Sequence, residues 1–140
     1  MDKRTKTAHW VDDDYPSRCM DVDGRIQAYR EAGDGAAPLM ILLHGIGSGS
    51  GSWGYLMDYF KDRYRLIAWD APGYNISTPL PEDKLGASGY ARALGKFLDM
   101  MDVRPAVMIG HSLGAMMAGA YAAEVNPDVP VLILGDPANG

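Results

Sequence analysis

Apolar residues in this chain fall into two alternating patterns. Short solid runs at residues 39–43, 106–109 and 131–134 are strand-sized and bounded by turn-forming residues, so they predict β-strands. Between them the apolar positions spread out. Leu85, Ala91, Leu94, Phe97, Leu98 and Met101 share one side of a 3.6-residue period and predict a helix over 85–101. A second helix is expected over 112–125, stopped by Asn126-Pro127, and a short one over 56–60. Near the start, residues 19–21 and 25–31 flank Val22-Asp23-Gly24, and Asp-Gly at that place predicts a tight hairpin. The first nineteen residues are expected to be an extended lead-in to a single domain over 20–140. Gly45, Gly47, Gly49, Gly51 and Gly54 mark a flexible rim loop.

Composition narrows the class. At 140 residues, with 47% apolar and 22% charged residues, the chain can bury one ordinary core. A net charge of −5 and an isoelectric point near 5.0 oppose nonspecific nucleic-acid binding, which needs a basic face. Cys19 is the sole cysteine, which suits a reducing compartment. No apolar run is long enough to span a membrane, and the polar stretch after Met1 lacks the apolar core of a secretory signal. A cytoplasmic protein without membrane or nucleic-acid partners is the expectation, and no metal or organic cofactor is implied.

The chemistry concentrates at Ile109-Gly110-His111-Ser112-Leu113-Gly114-Ala115, a serine between two glycines at a strand-to-helix junction. Such a turn forces the serine into strained backbone geometry. Gly110 and Gly114 are then required because side chains there would collide with the neighbouring strand and helix. The hydroxyl is pushed out of the fold near a helix N-terminus, where free N–H groups favour the negative charge of acyl transfer.

Two more segments fit the same architecture. Leu39-Met40-Ile41-Leu42-Leu43 runs into His44-Gly45-Ile46-Gly47, and Leu66-Ile67-Ala68-Trp69 runs into Asp70-Ala71-Pro72-Gly73-Tyr74-Asn75-Ile76-Ser77. With the serine turn, these make the chain resemble the α/β-hydrolase family from about Ile26 onward. The resemblance implies a three-layer, mostly parallel sheet with an antiparallel N-terminal hairpin, incomplete at about six of the usual strands. It implies Ser112 as nucleophile, and the N–H groups of Ile46 and Leu113 as oxyanion donors. Asn75 stands where the family's Asp-x-Pro-Gly-x-Gly-x-Ser loop has its second glycine. The departure is mild, because asparagine tolerates left-handed backbone.

A serine needs a histidine to take its proton, and the histidine needs a carboxylate. The histidines here are His9, His44 and His111, and none follows Ser112, where the family order would put the base. His44 is expected to shape its loop through backbone hydrogen bonds, and the His111 ring to point away from Ser112. Asp136 is either the acid, which follows the sixth strand in some branches of the family, or a residue that initiates a turn; the turn reading is preferred. Asp70 is expected to organise its loop. The sequence therefore reads as the N-terminal part of a hydrolase for an ester, lactone or similar small carbonyl substrate, truncated after the sixth strand. The alternative is a noncatalytic binding module on the same fold. An apolar sixth strand at the sheet edge would favour self-association, so a homo-oligomer fits.

Overall fold

The computed structural model describes residues 6–136. Six strands form one sheet: β1 (Arg18–Val22), β2 (Arg25–Ala32), β3 (Leu39–Leu43), β4 (Arg65–Trp69), β5 (Pro105–His111) and β6 (Val131–Gly135), in the spatial order β1-β2-β4-β3-β5-β6. The pairs β1–β2 and β2–β4 are antiparallel, and the other three are parallel. At the β1–β2 turn both Asp23 and Gly24 adopt positive φ, 53° and 82°, the conformation that lets a two-residue turn follow the strands' own twist.

Four helices cover the sheet: α1 (Trp10–Asp14), α2 (Gly54–Phe60), α3 (Ala87–Met101) and α4 (Leu113–Ala120). The solid apolar runs of β3 and β4 follow from burial on both faces. Ile41, Leu43, Ile67 and Trp69 point to one side and pack with Leu94, Phe97 and Met117 of α3 and α4. Met40, Leu42, Leu66 and Ala68 point to the other and pack with Trp10, Tyr15 and Met57. β6 is different. Val131, Ile133 and Leu134 are 43–48% exposed, and β6 ends the sheet with β5 as its neighbour.

Several boundaries depart from the sequence reading. The lead-in is not extended throughout, because α1 folds over residues 10–14 and seats Trp10 and Tyr15 in the core beside α2, and β1 begins at Arg18. The 85–101 helix starts at Ala87, after a 3-10 turn at Glu82–Lys84 and Gly86 at φ 118°. Leu85 is left outside it, 59% exposed. Over 112–125, Ser112 caps the helix without joining it, and the last turn, Tyr121–Val125, widens to π-helical hydrogen bonding. The rim loop is not free: it forms a 3-10 turn at Ser50–Trp53 whose first residue is buried.

Candidate active site

Ser112 occupies the turn between β5 and α4 with φ 56° and ψ −117°, a conformation that residues with side chains rarely adopt. Close packing leaves the chain no easier path. A Cβ on Gly110 would lie 2.2 Å from the Gly114 carbonyl oxygen, and one on Gly114 would lie 2.1 Å from the Leu43 carbonyl oxygen. The Ser112 N–H donates to the Gly135 carbonyl at 2.9 Å, tying the turn to β6. Leu113 opens α4, so its N–H has no carbonyl four residues back within the helix.

The loop after β3 lies across this turn. A Cβ on Gly45 would sit 3.0 Å from Ser112 Cβ and 3.3 Å from His111 Nδ1, so Gly45 is the residue that lets the loop approach the serine. Ile46 follows and is 70% exposed. Between turn and loop is a cavity of about 410 Å³ lined by His44, Gly45, Ile46, Ser48, Ser52, Trp53, His111 and Ser112. Among the described residues, no carboxylate, lysine or arginine lines it.

His44 is buried, and both ring nitrogens are engaged. Nδ1–H donates to the Gly45 carbonyl at 2.9 Å, and Nε2 accepts from the Ala71 N–H at 3.0 Å. Burial lowers its pKa, opposed by the Gly45 bond and the nearby Asp70 charge, so the ring is held neutral in a single tautomer. It has no lone pair left to take a proton from Ser112. Asp70 is equally buried. Its Oδ1 accepts from the Ser50 N–H and its Oδ2 from the Ser50 hydroxyl, each at 2.8 Å, and Asn75 Nδ2 adds a longer bond of 3.3 Å. Asp70 therefore organises two loops at once. Ser77 completes the second: its hydroxyl accepts from the Ala28 N–H at 2.9 Å and donates to the Asp70 carbonyl at 2.7 Å.

The remaining candidates lie at the β6 side. His111 borders the cavity, and its side chain is more than half exposed. Its Nε2 is 3.8 Å from Asp136 Oδ2, beyond hydrogen-bond length. Asp136 itself has φ 42° and a side chain 95% exposed. Two residues that the sequence reading passed over matter here. Arg30, 8% exposed on β2, donates from Nε to the Ser50 hydroxyl at 3.0 Å, and Ser50 is itself 1% exposed. The local signal was faint: an arginine inside a strand whose neighbours Ala28 and Ala32 are core residues.

A mixed sheet covered on both faces, with a strained serine between a central strand and the helix behind it, defines an α/β architecture of hydrolase type. The chain belongs to the alpha/beta hydrolase fold family, whose model matches residues 38–137. It is 31% identical over 135 residues to the magnesium-chelatase 30 kDa subunit of Rhodobacter capsulatus, covering 94% of this chain and 44% of that protein. It is 37% identical over 118 residues to the 2-(acetamidomethylene)succinate hydrolase of Mesorhizobium japonicum, covering 84% and 41%. Among solved structures, a membrane phospholipase A described as a bacterial virulence factor superposes with a TM-score of 0.82 at 28% identity, over 89% of this chain and 40% of that one. The chain thus spans less than half the length of the curated relatives it matches. Among the described residues, no helix is long and apolar enough to cross a membrane.

Proposed function

We propose that this chain is the nucleophile-bearing part of a hydrolase acting on an ester, lactone or similar small carbonyl compound. The carrying observation is Ser112, held at φ 56° on a strand-to-helix turn at the cavity wall and packed directly against Gly45. In this reading the Ser112 Oγ attacks the substrate carbonyl carbon while its proton passes to a base. The carbonyl oxygen, now an oxyanion, takes hydrogen bonds from the N–H groups of Ile46 and Leu113. Collapse of that intermediate expels the protonated leaving group and leaves an acyl-serine, which water releases. The hydrolase relative and the family membership support this reaction class.

The base and its carboxylate are proposed to come from residues other than these 140. His44 is fully engaged, His111 lies toward Asp136, and the longer relatives have room for further elements. The 140 residues alone are accordingly expected not to turn over p-nitrophenyl esters through Ser112. The deciding experiment is treatment of the protein, as its source makes it, with a fluorophosphonate probe followed by peptide mapping. The expected result is one adduct on Ser112, lost in Ser112→Ala. An adduct on another serine, or none on a folded protein, would reject the nucleophile and favour the binding-module reading.

A further inference from the structure

We propose that Arg30 is a positioning residue for the loop that carries the Ile46 N–H, and that α1 acts on the site through it. The inference rests on Ser112 as nucleophile and Ile46 as oxyanion donor. Residues 45–49 are suspended between two anchors, each bonded to the chain leaving β4. The near anchor is His44, bonded to the Ala71 N–H, and the far anchor is Ser50, bonded twice to Asp70. Asp70 fixes Ser50 from one side. Arg30 fixes it from the other, because the Ser50 hydroxyl donates to Asp70 and accepts from Arg30 Nε at 3.0 Å. Without that donor the hydroxyl has a free lone pair and an empty space beside it.

The rest of the guanidinium is committed to the N-terminal segment. One terminal nitrogen donates to the Tyr15 carbonyl at 2.7 Å, and the other to Asp12 Oδ1 at 2.9 Å. Two of the fork's three acceptors, the Ser50 hydroxyl and the Tyr15 carbonyl, belong to buried residues, and the planar group that spans them has little freedom. The same segment also grips the helix that follows the loop. The Tyr15 hydroxyl donates to Asp58 of α2, Lys6 Nζ lies 3.0 Å from Asp58, and a Cβ on Gly54 would come within 2.9 Å of the Trp10 ring. The loop is therefore clamped from its far side by a segment that contributes nothing to the cavity lining. An oxyanion donor must sit within hydrogen-bond distance of a position the oxygen reaches only in the transition state, so a small displacement of the loop weakens catalysis before it weakens binding.

The test uses the protein as its source makes it, with Ser112 titrated to completion by the fluorophosphonate probe and p-nitrophenyl butyrate turnover expressed per titrated site. Arg30→Met should lower kcat per site by roughly tenfold with KM within about twofold, the split expected when only transition-state binding is lost. Arg30→Lys should recover part of the loss. Ser50→Ala, which keeps Arg30 and the Ser50 N–H bond to Asp70, should lower kcat per site about threefold. A purely structural arginine would give fewer titratable sites at unchanged kcat per site, and that outcome overturns the inference. If Arg30→Met does not fold, Ser50→Ala and Arg30→Lys decide alone, and wild-type turnover per site in both overturns it. Failure of wild type to label rejects the serine reading and takes the role of Arg30 with it; a labelled wild type with insensitive variants rejects the role of Arg30 only.

Discussion

Ser112 and the loop that faces it are held in place by opposite means. At the serine, backbone meets backbone: Gly110 and Gly114 touch carbonyl groups so closely that no Cβ fits. Across the cavity, buried side chains do the holding, with His44 at one end of the loop and the Asp70–Ser50–Arg30 chain at the other. A turn fixed by backbone contact tolerates no added atom. A loop fixed by buried polar groups tolerates modest changes of shape but not the loss of a partner, because each orphaned group keeps its desolvation cost.

The widest separation between the two regimes should come from a pair of alanines on α4. Gly114→Ala puts its Cβ against the Leu43 and His44 carbonyls, which cannot move without shifting β3, and should cost about 3 kcal/mol or more. Gly119→Ala, five residues on, meets nothing within 4 Å and should stabilise by about 0.5–1 kcal/mol by restricting the unfolded chain. Urea midpoints measure both. Equal midpoints for the two variants would mean that backbone packing does not govern the turn.

On the loop side, Asp70→Ala removes the acceptor for both the Ser50 N–H and hydroxyl, bonds of the charge-assisted kind. A loss of about 2–3 kcal/mol is expected. Asp70→Asn keeps the shape and one acceptor and should lose less. If Asn is as damaging as Ala, the carboxylate's charge, not its hydrogen bonds, holds the loop.

His44 gives a smaller effect with a defined sign. Its folded-state pKa is depressed by burial below the ordinary 6.5, so the unfolded chain binds the proton more readily. The stability this contributes is fully present above pH 6.5 and declines as the pH falls from there toward the depressed value. Wild type should therefore lose more stability between pH 7.5 and 5.5 than His44→Asn does. Parallel pH profiles for the two proteins would mean that burial does not depress the folded-state pKa of His44.

The same contrast explains what could be read from the sequence. The serine turn is local: its strand, two glycines and helix lie in one run of sequence, residues 105–120, and each glycine is visible because only glycine fits. The hairpin at Asp23-Gly24 and the strands β3, β5 and β6 were legible for the same reason, since period and turn chemistry are written in contiguous residues, while β4 was read through the family resemblance of the segment it opens. The clamp was not. Arg30, Ser50 and Asp70 come from three separate segments, and the local mark on Arg30, its place between Ala28 and Ala32 on one face of β2, says that it is buried but not what it holds. Helix α1 was hidden for a related reason. Five residues cannot sustain a helix alone, and α1 exists because Trp10 and Tyr15 find the surface of α2, a tertiary gain that outweighs the polar run Asp12–Asp14.

Asn75 lies where the two regimes meet, and it predicts the smallest change. It adopts φ 50°, which glycine would accept without strain, and its side chain reaches Asp70 Oδ2 at 3.3 Å and the Ser17 hydroxyl at 3.4 Å. Asn75→Gly relieves the backbone and at the same time removes two long hydrogen bonds and frees the unfolded chain. These terms oppose one another, and the net change should stay within about 1 kcal/mol. Asn75→Ala separates them, because it loses the bonds and retains the strain; it should be less stable than Asn75→Gly in urea unfolding. If alanine matches glycine, the left-handed conformation carries no strain at this position, and the loop after β4 is governed by Asp70 and Ser77 alone.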